Sequence, residues 1–155
     1  MSVHTVCVRH NFETAHRLPH LGGKCANFHG HSWWVQVAIS VNRLSGDATV
    51  VEFGAYKSLL RGWIDSHLDH VTMIGRADPL CAPLVADGTK LLVFGTDEPD
   101  PELVKDLDWP TVENVAVLLG RVAADQLTAC PGAHAAWVSL VRVSETHVNT
   151  AEWSP

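Results

Sequence analysis

Polar and apolar residues alternate from Val3 to about Arg17. Val6, Val8, His10, Phe12, Thr14 and His16 fall on one face, with Cys7 and Arg9 on the other. Period-two alternation predicts a half-buried strand. Pro19 to Lys24 reads as a loop. A second strand is predicted from about Phe28 to Val41, where Val35, Val37, Ile39 and Val41 alternate with Trp34, Gln36, Ala38 and Ser40. A turn signal spans Asn42 to Asp47, and Thr49 to Phe53 predicts a short strand returning as a hairpin.

The period then changes. Tyr56, Leu59, Leu60, Trp63, Ile64, His67 and Leu68 recur at the spacing of an amphipathic helix, placed from about Ala55 to Leu68. Residues 71–108 are irregular and hold Pro79, Pro83, Pro99, Pro101 and the acidic run Asp97-Glu98-Pro99-Asp100, with a short strand predicted over Lys90–Phe94. Pro110-Thr111 opens a second helix, with Val115, Leu118, Leu119, Val122, Ala123 and Leu127 as its stripe and Pro131-Gly132 as its end. Strands are predicted from about Ala135 to Ser144 and from about Val148 to Trp153. The order is ββααββ: an α+β fold on an antiparallel sheet with two helices. A length of 155 residues suits one domain, 1–155, with an insertion at about 71–109.

Net charge is −6, and no basic run exists, so nucleic acid is not an expected partner. No apolar stretch approaches the ~20 residues that span a bilayer. No membrane association and a cytoplasmic location are therefore expected. Cys7, Cys25, Cys81 and Cys130 show no paired spacing and are expected as free thiols or metal ligands. The charged fraction of 18% is low, and with six tryptophans it points to surface covered by partner subunits.

Candidate chemistry concentrates in Cys25-Ala26-Asn27-Phe28-His29-Gly30-His31. On a strand, His29 and His31 point to one face, and His16 lies on the neighbouring antiparallel strand. Three neutral imidazoles would leave one tetrahedral position open, as catalytic zinc requires. Cys25 could instead close a four-ligand site. The preferred reading is a free thiol beside the metal, its pKa lowered from about 8.5 toward the thiolate. Asp69-His70 ends the first helix, where a carboxylate can orient an imidazole or the His can simply cap the helix. Glu145 ends a strand, as a solvated carboxylate or as an acceptor for an amino-pyrimidinone edge. Glu113 is less specific, because a carboxylate also suits a helix N-terminus. His4, His10, His20, His67, His134 and His147 lack a motif and read as structural or exposed. Cys7, Cys81 and Cys130 read as ordinary thiols.

Taken together, these pieces resemble the 6-pyruvoyltetrahydropterin synthase and 6-carboxytetrahydropterin synthase family. They are Phe12-Glu13-Thr14-Ala15-His16-Arg17-Leu18, Cys25 through His31, Val51-Glu52-Phe53, Leu68-Asp69-His70, Pro110-Thr111-Val112-Glu113-Asn114 and Glu145-Thr146. The resemblance implies the tunnelling fold (T-fold), with three subunits closing a barrel, two trimers forming a homohexamer and sites at subunit interfaces. It implies His16, His29 and His31 as Zn2+ ligands and Cys25, Asp69 and His70 as catalytic residues. Glu145 would anchor the pterin, with Glu113 and Thr111 near the substrate.

The three residues between Cys25 and His29 look like the bacterial 6-carboxy-5,6,7,8-tetrahydropterin synthases of queuosine and 7-deazapurine (preQ0) biosynthesis. The implied substrate is 7,8-dihydroneopterin triphosphate. The implied products are 6-carboxy-5,6,7,8-tetrahydropterin, acetaldehyde and triphosphate. Arg17 and Lys24 flank the motifs and are candidate triphosphate partners. Alternatives are a 6-pyruvoyl-type synthase, a pterin side-chain aldolase, or a non-catalytic zinc-containing pterin- or purine-binding module. Three features depart from the pattern: Glu52 in place of Asp before Phe53, the long insertion, and a tail ending near Trp153 without an aromatic-glycine finish.

Overall fold

The computed structural model describes residues 2–96, 101–133 and 135–155. Two long strands, β1 (His4–His16) and β2 (His29–Val41), pair antiparallel along their whole length, from His4 opposite Val41 to His16 opposite His29. Their alternation buries Val8, Phe12, Trp33, Val35, Val37 and Ile39 on one face. That face is closed by α1 (Phe53–His67) and α4 (Val112–Ala129). The helices meet each other through the Tyr56 hydroxyl, which donates to the Ala123 carbonyl at 3.0 Å.

The other elements are β3 (Val71–Gly75), α2 (Cys81–Asp87), β4 (Leu91–Phe94), α3 (Pro101–Val104), β5 (Trp137–Ser144) and β6 (Thr150–Trp153). Strand order in the sheet is β4-β3-β1-β2-β5-β6. β1, β2, β5 and β6 form the expected antiparallel part. The insertion adds two strands in parallel: β3 pairs with the end of β1 at Thr14–His16, and β4 pairs with β3. The sheet is therefore mixed, and the described residues of the insertion form strands and helices where an irregular segment was expected. Its acidic run at 97–100 and His134 lie outside the described residues.

Residues 49–53 are not a strand, contrary to expectation. The Glu52 carboxylate accepts from the Gly54 and Ala55 amides at 2.8 and 2.6 Å and caps α1, which starts at Phe53. Satisfying two of the free amides at a helix start outweighs the β propensity of Val50 and Val51. Those two valines are buried in the core instead. Among the described residues, no helix is long and apolar enough to cross a membrane.

Candidate metal centre and active site

The register of β1 and β2 builds the metal-binding group. His16 lies opposite His29, and Thr14 lies opposite His31. All three imidazoles therefore leave the same face at one end of the strand pair. One ring nitrogen from each of His16, His29 and His31 lies within 4.8 Å of the others, so the three could hold a metal ion. Trp33, fully buried, forms the floor: its ring meets His16 and His31 edge-on at centroid distances of 5.0 and 5.6 Å.

Carbonyl oxygens fix two of the rings. His16 Nδ1 lies 2.8 Å from the Pro110 carbonyl, and His29 Nδ1 lies 2.8 Å from the Asn27 carbonyl. A carbonyl only accepts, so each Nδ1 carries the proton and each Nε2 presents a lone pair. Such backbone partners orient metal-binding imidazoles and set their tautomer.

Burial is the main force lowering the His16 pKa, to about 4, and the neighbouring His29 and His31 push the same way against the Pro110 hydrogen bond. Burial likewise lowers that of His31, against the opposing charge of Glu145. Both rings are neutral at pH 7, as metal ligands must be. His16 Nε2 and His31 Nε2 are buried without a hydrogen-bond partner. Buried polar atoms left unpaired are costly and rare. Two of them in a cluster of three imidazoles fit the nitrogen donor set of a divalent transition metal.

Glu145 follows β5, with one carboxylate oxygen 3.9 Å from His16 Nε2 and the other accepting from Asn149 Nδ2 at 3.4 Å. It lines a groove of about 680 Å³ with His31, Trp34 and Thr146. A second groove, about 470 Å³, shares Gly30, His31 and Ser32 and is bounded by Glu13 and His70. Asp69 and His70 form a dyad there. Asp69 Oδ2 lies 2.7 Å from His70 Nδ1, while Oδ1 accepts the Glu13 amide at 2.8 Å. Those bonds, the Glu13 amide first, hold the Asp69 carboxyl below its ordinary range. The ionised carboxylate accepts from Nδ1, and among the described residues His70 Nε2 has no hydrogen-bond partner on a side chain that is 79% exposed. The His70 backbone is left-handed (φ 56°), and its amide donates to the Glu13 carbonyl at 2.7 Å. The dyad is thus pinned to β1 two residues before Ala15.

Cys25 sits on a 3₁₀ turn, Gly23–Ala26, and is exposed. Its thiol lies outside the histidine group, so the three imidazoles are not closed by sulfur here. Among the described residues, no hydrogen bond joins this thiol to the imidazoles or to the Asp69-His70 pair. Thr111 caps α4 by accepting the Asn114 amide at 3.2 Å, and exposed Glu113 lies in the first turn. Both lie close in sequence to Pro110, whose carbonyl orients His16.

Arg17 is not a free cation. Its Nε is 2.8 Å from Asp78 Oδ2, on a carboxylate with no exposed surface. Lys24 remains exposed. His10 pairs with Asp65 at 2.9 Å, His20 stacks on Trp109 and His67 on Trp63. Asp78, Trp109 and the Pro110 carbonyl are the contributors that sequence reasoning missed. Pro110 was legible as a helix start and as part of a family-like stretch, but not as the partner of His16, and nothing local marks Asp78.

The 6-pyruvoyl tetrahydropterin synthase family model matches residues 5–155. A Rickettsia conorii protein named 6-carboxy-5,6,7,8-tetrahydropterin synthase is 27% identical over 114 residues, covering 73% of this chain and 75% of its own length. A Halobacterium salinarum protein named probable 6-carboxy-5,6,7,8-tetrahydropterin synthase is 31% identical, covering 88% of this chain and 77% of its own. Among solved structures, an uncharacterized protein from Wolinella succinogenes superposes with TM-score 0.73 at 22% identity, covering 99% of both chains. The Caenorhabditis elegans 6-pyruvoyl tetrahydropterin synthase superposes with TM-score 0.66 at 18% identity, covering 100% of this chain and 97% of its own. The fold is the tunnelling fold of these proteins, and the chain belongs to the 6-pyruvoyl tetrahydropterin synthase family.

Proposed function

We propose that this chain is a zinc-dependent carbon-carbon lyase. It would convert 7,8-dihydroneopterin triphosphate to 6-carboxy-5,6,7,8-tetrahydropterin, releasing acetaldehyde and triphosphate, in the cytoplasmic supply of queuosine or other 7-deazapurines. The observation that carries this reading is the group of three imidazoles with two orphaned, buried Nε2 atoms, in a chain whose relatives carry the 6-carboxy synthase name.

His16, His29 and His31 would hold the zinc, with the His16 and His29 rings oriented by the Pro110 and Asn27 carbonyls. Bound there, zinc supplies Lewis acidity to hydroxyls on the substrate side chain. The chain's own groups then move protons. His70 Nε2 accepts and returns a proton while Asp69 holds Nδ1 and balances the imidazolium charge. Cys25 Sγ serves as the second proton-transfer group. Glu145 accepts from the amino-pyrimidinone edge and fixes which carbons face these groups, with Glu113 and Thr111 contributing to the pocket. The exposure of Cys25 and His70 supports a site completed between subunits of a homohexamer.

The test is to incubate zinc-loaded protein with 7,8-dihydroneopterin triphosphate and identify both fragments by mass. Acetaldehyde with a 6-carboxy pterin is expected. Glycolaldehyde would mark an aldolase, a 6-pyruvoyl product would mark the other synthase, and no turnover of any pterin would leave a binding module.

A further inference from the structure

Residues 17–28 connect β1 to β2 and carry Cys25. The stem of this connection closes on itself. The Leu18 amide donates to the Cys25 carbonyl at 2.7 Å, and the Arg17 guanidinium carbon lies 5.4 Å over the Phe28 ring. The first and last residues of the loop therefore meet, and Cys25 is bonded to the stem.

Among the described residues, an ion pair and a ring stack run from the loop to the insertion. The first is Arg17 with Asp78. This pair is electrostatic rather than an aligned hydrogen bond, since Arg17 Nε and Asp78 Oδ2 lack hydrogen-bond geometry despite their 2.8 Å separation. A carboxylate with no exposed surface needs its cation, because water cannot replace it. Asp78 is itself fixed: Oδ1 accepts the Leu80 amide at 2.9 Å, its own amide donates to the Gly75 carbonyl, and its carbonyl accepts from Cys81. The second contact is His20 stacked on Trp109, with centroids 4.3 Å apart and planes 23° apart. Trp109 in turn lies against Gly75, where a Cβ would fall 2.5 Å from its ring.

We infer that the insertion is the seat of the Cys25 loop, with Asp78 and Trp109 as positioning residues that act through Arg17 and His20 to hold the thiol in place relative to the histidine group. The catalytic consequence rests on the reading of Cys25 given under Proposed function. The placement of the loop does not.

The experiment is hydrogen exchange read by mass spectrometry on the zinc-loaded full chain, comparing wild type with Asp78→Asn and His20→Ala. Asn at 78 keeps the acceptor for Leu80 and loses only the charge facing Arg17. Exchange over 17–28 should accelerate about tenfold or more in Asp78→Asn and measurably in His20→Ala, with β1, β2 and α4 unchanged. Zinc content should stay stoichiometric. In turnover, kcat should fall while KM changes little, and Arg17→Lys, which keeps the cation, should recover most of the protection that Arg17→Gln loses.

Unchanged loop exchange in both variants overturns the inference, as does acceleration spread equally over the strands and helices. If Asp78→Asn does not fold, His20→Ala and the Arg17 pair decide alone. Wild type that protects the loop yet turns over no pterin removes the proposed lyase and leaves the seat standing.

Discussion

Replacing Asp69 with Asn tests the proton-transfer dyad with little disturbance to the fold. Asn can still accept the Glu13 amide through its carbonyl oxygen, at the place where Asp69 Oδ1 now does so at 2.8 Å. Its amide NH₂ would then occupy the position of Oδ2, 2.7 Å from His70 Nδ1. Two donors cannot face each other, so the imidazole must shift its proton to Nε2. The nitrogen that should accept from substrate becomes a donor. A positioned general base contributes about 10²–10⁴ in rate, and an enzyme with a buried carboxylate loses about 10⁴ when an amide fixes the wrong tautomer. His70 is 79% exposed, so water can restore the correct tautomer for part of the time. The expected loss is therefore near the lower end, about 100-fold in kcat with KM little changed. Stability should change by no more than about 1 kcal/mol, because the pair is open to solvent. Steady-state kinetics with 7,8-dihydroneopterin triphosphate, with zinc content and Tm as controls, checks this. A kcat within about threefold of wild type would mean that His70 moves no proton in the slow step.

Three further outcomes follow from the same geometry. His29→Ala or His31→Ala should weaken zinc binding at least about 100-fold, seen as metal lost on dialysis; stoichiometric zinc in either variant refutes the ligand set. In chelator-treated protein, His16 has a folded pKa of about 4 against 6.5 unfolded, so its contribution is complete above 6.5 and is lost as pH falls toward 4. That gap corresponds to about 3 kcal/mol, and His16→Leu should flatten this part of the Tm-against-pH curve. Gly120→Ala would place a Cβ 2.2 Å from the Trp153 ring. Overpacking of about 3 kcal/mol exceeds the about 1 kcal/mol gained in helix propensity, so Tm should drop by about 4–8 °C in a thermal melt.

What the sequence made legible follows the range of the forces involved. β1 and β2 could be read because one face of each is buried, and burial on one face writes an alternation. The same period put His29 and His31 together, and antiparallel pairing brought His16 to them. β3 escaped notice because a parallel strand covered on both faces loses its alternation; four of the five residues Val71–Gly75 are buried and the fifth is half-buried. The start of α1 was misread because Val50, Val51 and Phe53 look like strand residues, whereas a single carboxylate between them decides the matter by capping two amides. The fixing of the chemistry is less local still. The carbonyl that sets the His16 tautomer is 94 residues away, and the carboxylate that holds Arg17 lies on an insertion that no motif reaches. A strand pair can bring three imidazoles together by periodicity alone. It cannot choose which nitrogen each ring presents, nor where the thiol loop rests. Asn27 settles that choice locally for His29, but Pro110 settles it for His16 and Asp78 faces Arg17 from far along the chain, which is why a substitution at Asp78 should alter the Cys25 loop while leaving every recognisable motif intact.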